Sequence, residues 1–146
     1  MNIFTIGFTK KSAQKFFGLI KNSGAKSVID VRLNNISQLS GFAKKDDLKY
    51  FLNEICGVSY IHEPALAPTQ QMLDEYKKNG GDWHTYEARF LDLMQKRRIE
   101  NRIPVELINS GCLLCSEDQP HQCHRRIVAE YFKNNVNDKL TITHLT

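Results

Sequence analysis

No apolar run in the sequence approaches the roughly 18 residues needed to span a bilayer as a helix, so no membrane partner is expected. The opening Met1-Asn2-Ile3-Phe4-Thr5-Ile6-Gly7 lacks a basic leader and a cleavage site, which points to the cytoplasm. Cysteine is sparse: four residues, at 56, 112, 115 and 123, are too few for a disulfide-framed mini-protein, and reduced thiols are the default. Four prolines and eight glycines form no tract that would mark a linker or a disordered tail. Neither sign of charge dominates. Twenty Lys or Arg against sixteen Asp or Glu leave a formal charge of +4, a mild attraction for anions that does not separate a nucleotide from nucleic acid.

What is present suits one globular domain over residues 1–146, with 41% hydrophobic residues. Phe4-Thr5-Ile6-Gly7 reads as a strand ending on a glycine, where close backbone approach is sterically cheap. Ser12 then precedes a helix carrying Phe16, Phe17 and Ile20 on one side, closed by Gly24, before a second strand at Val28-Ile29-Asp30-Val31-Arg32. That order fits a right-handed crossover. After a loop through Asn34, Asn35 and Gly41, Asp46 or Asp47 is expected to cap a helix bearing Leu48, Phe51, Leu52 and Ile55. Val58 to Ile61 forms the third strand, and residues 62–82 a loop interrupted by a helix near Met72–Lys78, read either as a lid over a strand-end pocket or as an insertion without a role.

Trp83, Tyr86, Phe90, Leu93 and Met94 recur at helical spacing and read as core rather than as a base-stacking platform. A helix after Pro104, a strand at 112–116, a helix over 123–134 and a strand over 140–145 complete the chain. Strands and helices alternate throughout. The expected fold is a three-layer α/β sandwich with a largely parallel central sheet and flanking helices.

Chemically reactive side chains crowd into residues 111–132, G-C-L-L-C-S-E-D-Q-P-H-Q-C-H-R-R-I-V-A-E-Y-F. Cys112, Cys115, Cys123 and His124 superficially supply four zinc ligands. On a strand, however, Cys112 and Cys115 point to opposite faces, and adjacent Cys123 and His124 do not readily face one ion from a regular helix. No metal and no cofactor are therefore assigned. A thiol or anion site fits better, because Gly7, Arg32 and Cys115 to Glu117 all lie at strand exits, where parallel sheets gather ligands. A helix starting near Cys123 would lower that thiol's pKa, which makes Cys123 the first candidate nucleophile and Cys115 the second.

Glu117 can accept a proton, hold Arg125, align a ligand hydroxyl, or serve as a turn carboxylate. His124 suits proton transfer or a buried structural place. Arg32 and Arg125 carry forked donor arrays that would bracket one anionic group, with Asp30 either holding Arg32, binding substrate, or pairing with Arg125.

The segments T-I-G-F-T at 5–9, V-I-D-V-R at 28–32 and L-L-C-S-E-D-Q-P-H-Q-C-H-R at 113–125 together resemble the DUF488 family, small and mainly prokaryotic proteins named for an unknown function. The likeness spans nearly the whole chain. It implies an α/β fold and motif roles for Thr5, Gly7, Asp30, Arg32, Cys115, Glu117, Cys123, His124 and Arg125, but no reaction and no cofactor. Where many relatives have Leu-Gly after the third strand, this chain has Leu66-Ala67-Pro68.

The leading expectation is a small enzyme acting on a phosphate-bearing or nucleotide-like substrate, with Thr5, Gly7, Asp30, Arg32 and Arg125 on the binding side. The alternative is a non-catalytic nucleic-acid-binding or anion-sensing module built on Lys10-Lys11, Lys44-Lys45, Lys96-Arg97-Arg98 and Arg125-Arg126. A cysteine-led phosphate loop, as in phosphatases or sulfur transferases, is not present, because Cys123 runs straight into His124-Arg125 and a helical stripe.

Overall fold

The computed structural model describes residues 1–35, 41–78 and 80–146. The middle of the loop expected between Asn35 and Gly41 lies outside them. Strand β1 (Asn2–Gly7) leads to helix α1 (Ala13–Ser23), whose first turn is capped by Ser12 Oγ accepting from the Lys15 amide and whose end is closed by Gly24 at φ 83°. β2 (Ser27–Asp30) follows, then α2 (Lys45–Phe51). α2 starts two or three residues earlier than a cap at Asp46 or Asp47 would set it: both lie in its first turn, where carboxylates favour the positive helix end. A π-helical turn, Leu52–Cys56, carries the chain through Gly57 into β3 (Ser59–His62).

Beyond β3 come α3 (Gln70–Lys78) and the long α4 (Trp83–Arg97), the latter capped by Asp82. Two short helices, α5 (Ile99–Arg102) and α6 (Val105–Ile108), lead to β4 (Gly111–Cys115). α7 (His124–Asn135) and β5 (Thr141–Leu145) end the described chain. All pairings are parallel, in the order β3-β2-β4-β1-β5. The architecture is the expected α/β sandwich, with helices on both faces of the sheet.

Period-two alternation divides the core. On one face Ile6, Val28, Cys112 and Leu114 pack with Phe16, Phe17 and Ile20 of α1 and with Leu48 and Leu52. On the other, Ile3, Ile29, Leu113 and Cys115 meet Phe90 and Met94 of α4 and Ile127, Val128 and Phe132 of α7. Central β4 is buried along its whole length, as a strand covered on both sides must be. Among the described residues, no helix is long and apolar enough to cross a membrane.

This topology fixes where a site can form. β1 and β4 are neighbours, with Gly7 paired to Cys115, yet β1 continues to the α1 face and β4 to the α7 face. Chain leaving adjacent strand ends in opposite directions opens a crevice above their carboxyl ends.

Candidate active site

The turn that follows β4 partly fills that crevice. The Ser116 carbonyl accepts from both the amide and the hydroxyl of Thr9, at 3.1 and 2.8 Å, and Asp118 pairs with the buried Lys11 ammonium at 2.5 Å. The hydrogen bond from Lys11 holds the Asp118 carboxyl below its usual range. Directly above Gly7, the Glu117 carbonyl oxygen occupies the place a β-carbon would take. The glycine read from the sequence as a point of close approach therefore meets its own chain.

Arg125, fully buried on α7, ties these pieces together. Its Nε donates to Thr5 Oγ1 at 3.2 Å, Nη1 to Cys115 Sγ at 3.3 Å and to the Glu117 carbonyl, and Nη2 to the Asp118 carbonyl at 3.2 Å. Burial lowers its pKa to about 10, which still leaves it charged at neutral pH. Thr5 accepts from Arg125, and its hydroxyl also shares a hydrogen bond with His144 Nδ1, 2.6 Å away. Glu117 does hold Arg125, but through the main chain. Its carboxylate is exposed and has no hydrogen-bond partner among the described residues.

Cys115, at the end of β4, and Cys123, before α7, are both buried and are joined in a disulfide, where reduced thiols were expected; Cys56 and Cys112 are free. One ligand atom each from Cys115, Cys123 and His124 lie within 4.8 Å of one another. From the sequence, the adjacency of Cys123 and His124 argued against such a meeting. It occurs because Cys123 is the helix cap, with extended backbone at φ −138° and ψ 140°, so helical spacing does not govern it. His124 Nε2 donates to the Val31 carbonyl at 2.8 Å, which leaves the Nδ1 lone pair free. Burial pushes its pKa down to about 4, with the Val31 hydrogen bond opposing the shift, so the ring is neutral at physiological pH. Cys112 lies on the opposite sheet face, as strand alternation predicts, and burial raises its thiol to about 12.

The sulfur and imidazole corner forms the floor of a cleft of about 180 Å³. Its wall is Leu73 and Tyr76 of α3 with Trp83 and Tyr86 of α4, and Ser116, Glu117 and Gln122 stand at its edge. The aromatic stripe of α4 is thus divided. Phe90 and Met94 are core, whereas half-buried Trp83 stacks on Tyr86 at 5.2 Å and faces the cleft. Leu73 and Tyr76 of the α3 segment line this cleft. Nothing in the spacing of Tyr76 identified it as a wall residue.

Arg32 and Asp30 flank Val31, whose carbonyl accepts from His124. The Arg32 guanidinium grips Asp30 through Nε and Nη2 at 2.8 and 2.7 Å, and Tyr60 donates to the same carboxylate at 2.6 Å. Arg32 also lies over the Phe8 ring, on the α1 face of the sheet. Arg32 Nη1 is buried without a hydrogen-bond partner among the described residues, and Asp30 pairs with Arg32 rather than Arg125. Several cations of the basic segments are likewise engaged within the chain: Lys11 by Asp118, Arg126 by Glu87 and Glu130, and Arg97 by the carbonyls of Pro64, Ala65 and Ala67. The Arg97 contacts fix the Leu66-Ala67 segment and went unread in the sequence.

A family model described as "Domain of unknown function DUF488" matches residues 12–132. The span takes in β2, β4 and the start of α7, and leaves the Thr5 to Thr9 motif and β5 outside. No curated protein and no solved structure matches the chain.

Proposed function

The chain belongs to the DUF488 family, and since that family's description assigns no reaction, we propose a function from the site itself: a small enzyme acting on a nucleotide-like substrate, a planar ring bearing an anionic group. The single observation that carries this reading is the meeting of two sulfurs and a neutral imidazole beneath a wall of aromatic side chains. Trp83 and Tyr76 offer the faces and edges against which a heterocycle stacks, at about 1–3 kcal/mol per base. Arg125 serves as framework, so the anionic group meets the first turn of α7, which no side chain caps.

Glu117 is the proton acceptor. It is exposed at the cleft edge, while its backbone is held by Arg125 and by the Ser116 contacts to Thr9. The substrate's ring lies over the Cys115, Cys123 and His124 corner, whose sulfurs are buried.

The test is a panel of nucleotides and phosphoesters assayed with wild type, Glu117→Gln and Cys123→Ser. The expected outcome is turnover of a nucleotide-like compound that falls about 10²- to 10⁴-fold in Glu117→Gln, with binding kept. Retained turnover in Glu117→Gln would refute the assignment of the base. Absence of both binding and turnover across the panel would refute the substrate class.

A further inference from the structure

We propose that reduced Cys115, reduced Cys123 and His124 hold one thiophilic divalent cation, zinc by its chemistry, with a fourth coordination position open to the cleft. The role of such an ion in turnover rests on the functional reading above; its binding does not. Three observations carry it. First, three donor atoms lie within 4.8 Å of one another. Tetrahedral zinc, with Zn–S near 2.3 Å and Zn–N near 2.0 Å, asks for donors about 3.5–3.8 Å apart, so the two sulfurs, bonded to each other here, part on reduction while the imidazole stays within reach.

Second, the surroundings are those of a metal site. His124 donates its Nε2 proton to the Val31 carbonyl, so the ring is locked in orientation with Nδ1 unprotonated, the form that ligates. Cys115 Sγ accepts from Arg125 Nη1 at 3.3 Å, the contact expected of a thiolate ligand. Third, the corner lies on the cleft, so one position on an ion held there stays accessible. Three protein ligands plus an open position is the pattern of catalytic rather than structural zinc. The cleft bounded by Tyr76, Trp83 and Glu117 supplies that opening. The disulfide between the same two sulfurs and the ion exclude each other, so the ion belongs to the reduced protein.

The probe is Co²⁺ added to the full-length reduced protein, followed by displacement with Zn²⁺. One equivalent should bind with thiolate-to-cobalt charge-transfer absorption. Cys115→Ser and His124→Gln should each weaken binding at least about 10-fold, and Cys112→Ala should leave it unchanged. A variant-free measurement stands beside this: in wild type, Zn²⁺ should slow alkylation of Cys115 and Cys123 but not of Cys56. Folded, reduced protein without charge-transfer absorption would overturn the proposal, as would absorption that persists in Cys115→Ser or equal alkylation with and without zinc. Trp83 emission titrated with nucleotide on metal-free protein separates the two ideas. A nucleotide response without cobalt binding sinks only the metal site, and cobalt binding without a nucleotide response sinks only the substrate class.

Discussion

Replacing Gly7 with alanine should unseat the site and the fold together, because a β-carbon there would lie 1.6 Å from the Glu117 carbonyl oxygen and 2.8 Å from Arg125 Nη1. The oxygen would have to retreat by roughly 1.4 Å merely to reach the 3.0 Å closest approach of real β-carbons. It cannot withdraw freely, since Ser116 is tied to Thr9 and Asp118 to Lys11. Overpacking costs about 1–3 kcal/mol, and weakening a charge-assisted bond to a buried guanidinium about 1.5–3 kcal/mol. The reduced entropy of the unfolded alanine chain returns about 0.4–1 kcal/mol.

A net loss of about 2–5 kcal/mol is expected, a large part of the usual 5–15 kcal/mol of stability. In urea this lowers the midpoint by about 1–2.5 M for a slope near 2 kcal/mol/M. Gly18→Ala is the control: it lies within α1 with nothing within 4 Å of its added carbon, and should gain about 0.5–1 kcal/mol. Unchanged midpoints for Gly7→Ala would refute the packing of the Ser116 to Asp118 turn over β1.

Arg125→Lys keeps the charge but loses the fork that serves Thr5, Cys115, Glu117 and Asp118; a loss of about 3 kcal/mol is expected in urea unfolding, and a change under about 0.5 kcal/mol would contradict the clamp. Asp30→Asn breaks a buried pair and should cost about 3–5 kcal/mol, whereas Tyr60→Phe removes one hydrogen bond and should cost about 1 kcal/mol; equal losses would show that the Asp30 and Arg32 pair is not the main element. His144 faces Thr5, with Arg125, Arg126 and Glu130 as the nearby charges, and burial, then the arginines, lower its pKa below the ordinary value. The unfolded chain then binds the proton more readily, so this contribution to stability is lost as pH falls through the ordinary histidine range. Ring titration by NMR should give a midpoint below that of free histidine; one at or above it would contradict the Arg125 to Thr5 to His144 chain.

The local parts of the fold were legible because their causes are local. Ser12 and Gly24 bound α1 through a cap and a left-handed turn, and period two alone separates Cys112 from Cys115. The site was legible as a stretch but not as an arrangement. Helical spacing misjudged Cys123 and His124 because the cap residue is extended. The roles of Arg125 and Arg97 depend on main-chain carbonyls, and an acceptor of that kind leaves no mark in the sequence. The division of the α4 stripe depends on where α3 packs, a long-range contact that periodicity does not encode.

Trp83, the only tryptophan, stands in the cleft wall, so its emission reports directly on whether a planar ligand enters above the sulfur and imidazole corner. Titrating the reduced protein with a panel of nucleotides should give saturable quenching by at least one of them, retained in Glu117→Gln. Emission that stays constant across the whole panel, in protein shown to be folded, would contradict the assignment of this cleft to a nucleotide-like substrate.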